Sequence, residues 1–248
     1  MGSLLIIPAA GLGSRLQASV PKLLFPVNGK PMIDYLFDLY APVVERFMLV
    51  LHPDFKDEVE RHCAATGYPI DYEVQPSPTG MLDAILIPRE RVRSYQPSHI
   101  WITWCDQVAV FPQTIAHLAA ATTQDARAAL TFPTLVRPHP YIHFVRDGQG
   151  GIVEVLHQRE GDAMPEVGES DMGLFCLSRN AYLDLLPAFA EESSRGTLTR
   201  ESNFLPFVAW LHGHAPVSTF PGHDAIEAVG INTRDDLHRV ETYLRNAR

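Results

Sequence analysis

Short apolar runs alternate with amphipathic segments along the first half of the chain. The runs predict buried strands, and the segments between them carry apolar residues at helical spacing. The predicted strands are Leu4–Ala9, Phe47–Leu51, Ile70–Val74 and Ile100–Trp104, and the predicted helices are Pro31–Tyr40, Asp54–Ala65, Thr79–Ile87 and Phe111–Ala121. Strands that alternate with helices at this spacing form βαβ units, so the pattern predicts an α/β fold with a mostly parallel, doubly wound sheet.

The pattern changes after about residue 127, where strands follow one another with Gly, Asp and Pro turns between them. The predicted elements are the strands Ala128–Pro133, Tyr141–Val145, Ile152–Leu156, Gly173–Leu177 and Val217–Phe220, and the helices Arg179–Phe189, Glu201–His212 and one that starts at Thr233. The charged, Gly-rich segment His157–Glu169 predicts a mobile flap. Because no linker or repeat interrupts the chain, we expect one domain over residues 1–248, with a small β-rich lobe.

Composition and charge narrow the choice of partners. A formal net charge of −9 argues against nucleic acid and anionic membranes as partners, because both favour a basic face. The three cysteines are far apart and odd in number, so they predict reduced thiols in the cytoplasm rather than a disulfide framework. The eleven histidines lack zinc-site spacing, since Pro140 breaks the one pair that stands four residues apart, His139 and His143.

A glycine-rich stretch, PAAGLGSRLQASVPK, follows the first predicted strand. Glycine lets backbone N–H groups approach an anion closely, so such a turn indicates a phosphate site. A dinucleotide fingerprint is disfavoured because Leu16 stands where its third glycine belongs, and the later NGKP sequence fails the Walker A pattern. The remaining interpretation is a phosphate-binding turn with its own cations. Arg15 offers a planar fork to non-bridging oxygens, and Lys22 offers a point charge to an α-phosphate.

The run AAGLGSRL, continued by PKLLFPVNGKPMIDY, resembles the signature of the sugar-phosphate nucleotidylyltransferases. The resemblance is nearest to the N-terminal domain of N-acetylglucosamine-1-phosphate uridylyltransferases. It implies a Rossmann-like, glycosyltransferase-A-like sheet, with a nucleotide-binding half over about residues 1–126 and an acceptor lobe with the C-terminal helix over about residues 127–248. It also implies Mg²⁺-dependent transfer of a nucleoside monophosphate from a nucleoside triphosphate, with uridine as the nearest base, to a sugar 1-phosphate or similar monoester, releasing pyrophosphate.

The resemblance assigns roles to particular residues of this sequence. The catalytic candidates are Arg15, Lys22 and Asp106, and the metal candidates are Asp106 and Asn232. The nucleotide-binding candidates are Ala9, Ala10, Gly11, Gly13, Ser14, Gln75, Thr79 and Gly80. The acceptor-binding candidates are Tyr141, Glu154 and Asp171. Carboxylate and amide oxygens of this kind suit Mg²⁺, which keeps waters and bridges phosphates.

Departures from the family pattern leave the acceptor open. Ile142 replaces a glycine of the acetylhexosamine enzymes, and His157 stands at the position expected of a glutamate. One alternative is cytidylyl transfer to an alcohol phosphate such as phosphocholine, because those enzymes share the opening motif. Another is a non-catalytic, nucleotide-sensing relative, although Arg15, Lys22 and Asp106 are all retained. A glycosyltransferase is disfavoured because no Asp-x-Asp follows the fourth strand. The oligomeric state stays open.

Overall fold

The structure is a computed structural model and describes residues 2–11 and 20–246. Its main sheet has four parallel strands at one side, β1 (Ser3–Ala9), β4 (Arg46–Leu51), β5 (Ile70–Val74) and β6 (His99–Thr103). Strand β1 lies between β4 and β6, and its residue Leu5 is in register with Phe47 on one side and Trp101 on the other. The chain therefore builds outward from β1 to β4 and β5, and then returns to add β6 on the opposite side.

Two hydrophobic cores cover the two faces of this sheet. Successive residues of β1 alternate between them, with Leu5 and Ile7 in one core and Leu4 and Ile6 in the other. All four side chains are at most 2% exposed. Side chains of a strand point alternately to opposite faces, so a strand that is apolar at every position must be covered on both sides. The uninterrupted apolar run LLII is the pattern expected of a strand that is buried on both faces.

Helices pack on each face of the sheet. One core includes residues of α1 (Met32–Tyr40), α2 (Lys56–Cys63), α5 (Pro112–Gln124) and α8 (Arg234–Asn246). The other includes residues of α3 (Met81–Leu86), α4 (Arg89–Tyr95), a π-helix (Ala181–Leu185), α6 (Leu186–Glu192) and α7 (Pro206–His212). In the part of the chain that the structure describes, 3₁₀ helices cover Lys22–Leu24, Pro53–Phe55, Gln158–Glu160 and Ala225–Ala228. Within the described residues, none of these helices has the length and apolar character needed to cross a bilayer.

The second half of the chain extends the same sheet. Its strands are β7 (Leu130–Pro138), β8 (Ile142–Arg146), β9 (Ile152–His157), β10 (Val167–Asp171), β11 (Leu174–Ser178) and β12 (Val217–Pro221). Strand β11 pairs antiparallel with both β6 and β7, and so joins this lobe to the central strands. Strand β7 also pairs with β10 and β12, while β8 and β9 form a separate two-stranded sheet.

The predicted fold class is confirmed, and several element boundaries are corrected. The expected flap His157–Glu169 contains a 3₁₀ helix and runs into β10, whose pairing with β7 the sequence pattern missed. The pattern also missed α4, in which Val92 is the buried residue of a charged segment, and the two-residue strands β2 (Pro26–Val27) and β3 (Lys30–Pro31). The expected helix Glu201–His212 begins only at Pro206, because the preceding residues close a loop. The assignment of one domain to the whole chain stays a prediction.

Candidate active site

The carboxyl ends of the parallel strands bring the predicted site residues to one edge of the sheet. Ala10 and Gly11 follow β1, Gln75 follows β5 directly, and Asp106 comes shortly after β6. The strand order departs from β1 in both directions, and open α/β sheets bind ligands in the crevice at such a point. The residues predicted to complete the phosphate-binding turn, Gly13, Ser14 and Arg15, lie outside the described part of the chain.

The ammonium group of Lys22 contacts two other predicted residues that lie far away in the sequence. The Lys22 Nζ donates to Asp106 Oδ2 at 2.6 Å and to Asn232 Oδ1 at 3.0 Å. The side chains of Lys22 and Asp106 are only 14% and 11% exposed, so the ion pair is mostly buried away from water. A charge-assisted hydrogen bond of this length in a half-closed site is stronger than an ordinary surface pair. The structure thus brings together Lys22, Asp106 and Asn232, although their roles stay predictions.

Backbone contacts hold the segment of Asn232 against Asp106. The Ile231 N–H donates to the Asp106 carbonyl at 3.3 Å. A Cβ on Gly230 would lie 3.1 Å from the Asp106 carboxyl group, so glycine allows this close approach. The Asn232 N–H in turn donates to Asp236 Oδ2 at 3.2 Å, which fixes the start of α8. The asparagine is therefore held by the first turn of the helix that follows it and by the segment of Asp106 beside it.

A buried carboxylate that sequence reasoning missed ties the same two segments together. Glu227 has 0% exposure. It accepts hydrogen bonds from Phe111 N at 2.9 Å and Thr114 Oγ1 at 2.5 Å, both at the start of α5. It also accepts from the backbone N–H groups of His223 and Asp224, at 2.9 and 3.2 Å. The spacing Asp224-x-x-Glu227, a capping box, is the sequence signal that could have found it.

The predicted base-binding loop is held by its own side chains. Gln75 is 4% exposed, and its Nε2 donates to Thr79 Oγ1 at 3.3 Å and to the Gly80 carbonyl at 3.1 Å. Helix α3 begins at Met81 with Gly80 as its N-cap, so the expected helix start at Thr79 is two residues too early. Thr79 instead accepts from Gln75. The three residues lie together as predicted, and their contact with a base stays a prediction.

The predicted acceptor residues are less closely grouped. Asp171 ends β10, and its Oδ1 accepts from the Gly173 N–H at 2.7 Å. Burial raises the pKa of Asp171, while hydrogen bonds from Gly173 and the Trp104 side chain oppose that shift. The Tyr141 ring contacts the His157 ring, with centroids 5.2 Å apart. Glu154 is exposed on β9, and the described contacts do not bring it together with Tyr141 or Asp171.

An unsatisfied polar atom lies next to Asp106. Gln107 is 5% exposed, and its Oε1 is buried and accepts no hydrogen bond within the described residues. Leaving a buried acceptor unpaired costs about 1–3 kcal/mol. Sequence patterns do not reveal such an atom, because glutamine after a strand is ordinary in a turn. Its position indicates that the chain tolerates a local cost beside the candidate site.

The oxygen atoms around Lys22 suit a magnesium ion. Across the described residues, no three His, Cys, Asp or Glu side chains gather into a metal cluster. Mg²⁺ does not need such a cage, because it keeps several waters and takes one or two carboxylates together with substrate phosphates. Asp106 Oδ2 and Asn232 Oδ1 both accept from the Lys22 ammonium, so the two oxygens lie close enough together to share one cation. The donor set therefore fits the predicted ion.

Comparisons with known proteins give consistent matches. A family model described as MobA-like NTP transferase domain matches residues 5–201. The bifunctional protein GlmU of a Thermus thermophilus strain is 31% identical over 245 residues, covering 96% of this chain and 51% of that protein. The GlmU of Alcanivorax borkumensis is 25% identical over 249 residues, covering 100% of this chain and 53% of that protein. The chain thus spans about half the length of the curated relatives it matches.

A solved structure shares the fold over nearly the whole chain. It is the crystal structure of a putative glucose-1-phosphate thymidylyltransferase from Bacillus anthracis in complex with sucrose. Its TM-score is 0.76 at 16% identity, and the match covers 98% of this chain and 95% of that one. Together with the sequence matches, this likeness confirms the nucleotidylyltransferase resemblance and the α/β fold predicted from the sequence.

Proposed function

The chain belongs to the MobA-like NTP transferase domain family, and from this premise we propose that it transfers a nucleoside monophosphate from a nucleoside triphosphate to a sugar 1-phosphate or similar phosphate monoester. The observation that carries the proposal is the Lys22 ammonium held by Asp106 and Asn232 at the carboxyl edge of the sheet. A cation flanked by hard oxygen donors at that edge is suited to a polyphosphate substrate. The name of the solved neighbour, a putative glucose-1-phosphate thymidylyltransferase, supports the sugar-phosphate class of acceptor.

The proposed reaction is an in-line displacement at phosphorus. A phosphate-monoester oxygen of the acceptor attacks the α-phosphorus of the triphosphate and forms a new P–O bond. The bond between the α-phosphorus and the bridging α–β oxygen breaks, and pyrophosphate leaves with the electron pair. The nucleophile is already ionised near neutral pH, so the chain needs no general base. Its contribution is positioning and neutralisation of charge.

Each predicted side chain has a defined part in this scheme. Lys22 would place its positive charge on the α-phosphate, and Arg15 would stabilise the leaving pyrophosphate. Asp106 and Asn232 would hold Mg²⁺, which when bound supplies further charge neutralisation on the phosphates. Backbone N–H groups of the turn from Ala9 through Gly11 and Gly13 to Ser14 would contact phosphate oxygens.

Binding of the two substrates is assigned to two sides of the crevice. Gln75, Thr79 and Gly80 would contact the base, for which uracil is the nearest expectation. Tyr141, Glu154 and Asp171 would hold the acceptor. Gln75 is buried and Asp171 is partly buried, which supports a part in recognition, since a site built to hydrogen-bond a substrate group discriminates strongly against partners that lack that group.

A substrate matrix tests the proposal. Each common nucleoside triphosphate is combined with a panel of sugar 1-phosphates and alcohol phosphates, and pyrophosphate release is measured with Mg²⁺ and with EDTA. We expect Mg²⁺-dependent release with at least one sugar 1-phosphate. Release only with CTP and an alcohol phosphate would favour the cytidylyltransferase alternative. Binding of a triphosphate without release for any pair would favour a non-catalytic relative.

Variants test the residues in the same assay. Arg15→Ala should lower kcat about 100-fold, as for other donors that stabilise transition-state charge. Arg127→Ala is the matched control, because that side chain is 92% exposed and lies on a different loop. Asp106→Asn should weaken the dependence on Mg²⁺. Near-normal turnover in Arg15→Ala, or an unchanged metal titration in Asp106→Asn, would contradict the assigned roles.

A further inference from the structure

A loop of residues 196–203, which we call the bridging loop, lies on the predicted base-binding loop. The Ser202 N–H donates to the Thr79 carbonyl at 2.8 Å, and the Ser202 carbonyl accepts from the Leu82 N–H at 2.9 Å. Gly80 has φ of +131°, and a Cβ there would lie 2.3 Å from the Ser202 nitrogen. The two backbones therefore touch at a position that only glycine permits. A displacement of Ser202 would therefore shift the backbone of Thr79 and Gly80.

One carboxylate from the acceptor lobe holds the bridging loop on both sides of Ser202. Glu160 accepts from the backbone N–H groups of Leu198 and Thr199, at 3.0 and 3.3 Å. It also accepts from the Thr199 hydroxyl and from Asn203 Nδ2, the latter at 2.9 Å. Desolvation raises the pKa of Glu160, but hydrogen bonds from Thr199, Asn203 and Leu198 outweigh it and lower the pKa to about 2. The side chain is thus ionised at all physiological pH values.

The turn that carries Glu160 is fixed to a predicted acceptor residue. The 3₁₀ helix Gln158–Glu160 follows β9 directly. Its Gln158 N–H donates to the Tyr141 carbonyl at 3.1 Å, and the Tyr141 ring contacts His157. A continuous series of contacts therefore runs from Gln75 and Gly80, through the bridging loop and Glu160, to Tyr141.

We propose that Glu160 is a positioning residue, which sets the acceptor-binding side of the crevice relative to the base-binding side through the bridging loop. The inference rests on the proposed function. It assigns to Glu160 no contact with either substrate. Its carboxylate gathers four donors of the bridging loop, and Ser202 of the same loop is fastened to Thr79. Loss of the carboxylate removes these four hydrogen bonds to the acceptor lobe and leaves the bridging loop attached to the base-binding loop through Ser202.

A neighbouring ion pair also connects the turn of Glu160 to the bridging loop, but its side chains are more exposed. Arg159 Nη2 lies 3.1 Å from Glu201 Oε1, with side chains 39% and 34% exposed. Exposed pairs of this type contribute about 0.2–1 kcal/mol. The pair adds little to the connection, whereas Glu160 accepts four hydrogen bonds from backbone and side-chain donors of the loop. Glu160 is therefore the residue to change.

The experiment compares Glu160→Gln with Glu191→Gln, the same chemical change at an exposed position of α6. Glutamine keeps the size of the side chain, but its NH₂ group cannot accept the hydrogen bonds that the second carboxylate oxygen accepts from the bridging loop. With the productive substrate pair, we expect the acceptor KM to rise about tenfold in Glu160→Gln, while the Kd of the triphosphate changes less than twofold. A general loss of folding would instead lower the active fraction and leave the acceptor KM unchanged.

Hydrogen exchange gives a second readout that does not depend on turnover. In the wild type, triphosphate with Mg²⁺ should slow amide exchange in residues 196–203 and also in residues 157–162. In Glu160→Gln, the slowing should persist at Ser202 and be lost in residues 157–162. An acceptor KM and an exchange pattern like those of the wild type would overturn the role of Glu160. Absence of turnover for every pair in the wild type would instead overturn the proposed function.

Discussion

At the scale of single residues, Asp171 is a partly buried carboxyl group among the predicted acceptor-binding residues. Burial raises the pKa of this carboxyl group, and the donors Gly173 and Trp104 offset the shift only in part. The ionised form is therefore less favourable in the folded protein than in the unfolded chain, whose carboxyl titrates near pH 3.9. As the pH rises above about 4, the unfolded chain loses its proton first, so the folded state loses stability until its own pKa is passed.

The direction of this pKa shift predicts how the stability of an Asp171→Asn variant depends on pH. The Tm of the wild type minus that of Asp171→Asn should become more negative as the pH rises from 4 toward 7, because asparagine does not ionise. Thermal unfolding of both proteins across that range measures the difference. Gln113→Ala, at an exposed position of α5, removes no ionisable group, so it is the control and its Tm difference from the wild type should stay nearly constant. The prediction is wrong if the Asp171→Asn difference is equally flat.

At the scale of secondary-structure elements, Glu227 connects two segments that carry candidate metal ligands. It lies in the 3₁₀ helix Ala225–Ala228, a few residues before Asn232, and bonds to Phe111 and Thr114 at the start of α5. Asp106 stands just before that helix on the other segment. The carboxylate also caps its own 3₁₀ helix through the N–H groups of His223 and Asp224. One buried group thus fixes two elements around the site.

The second prediction concerns this connection. Glu227→Gln should destabilise the fold by about 2–4 kcal/mol, because the new amide N–H₂ must face backbone donors in a closed space. For a chain of this size, that loss corresponds to a fall in Tm of roughly 5–15 °C. Glu90→Gln is the control, since Glu90 is 80% exposed, and its Tm should change by no more than a degree or two. Equal Tm values for the two variants would contradict the structural role of Glu227.

Elements differ in how far the sequence could predict them. The strand β1 was predictable because both of its faces are buried and the run LLII is apolar throughout. Helix α4 was not, because Val92 alone among its residues is buried and a single apolar residue has no period. Strand β10 was missed because it mixes Gly, Glu, Ser and Asp, and pairing with β7 rather than its own composition makes it a strand.

The candidate site shows the same division. The sequence grouped Lys22, Asp106 and Asn232 by resemblance, and the structure brings them within hydrogen-bond distance. Glu160 and Glu227 were missed as site-supporting residues. Their importance comes from donors that lie far away in the sequence, and composition or spacing does not record such contacts. The roles of the predicted residues stay predictions until they are tested.

At the scale of the whole molecule, the charge of the chain and that of its expected ligand have the same sign. The formal net charge is −9, and a triphosphate is also strongly anionic. Long-range attraction therefore does not draw the nucleotide to the protein. Binding must depend on local groups at the carboxyl edge of the sheet, where Lys22 lies and where Arg15 is predicted. A divalent cation bound with the nucleotide would reduce the repulsion further.

This balance yields a prediction for the stability of the intact chain. A ligand that binds only the folded state, at about 100 times its Kd, adds about 2.7 kcal/mol of stability, which for this chain length is a rise in Tm of roughly 5–10 °C. We expect that rise for a triphosphate with Mg²⁺, and a much smaller one with EDTA, because the repulsion between chain and nucleotide is then uncompensated. The parent nucleoside is the control for base binding alone. If the nucleoside raises Tm as much as the triphosphate does, the phosphates are not what the crevice binds, and the site around Lys22 has another purpose.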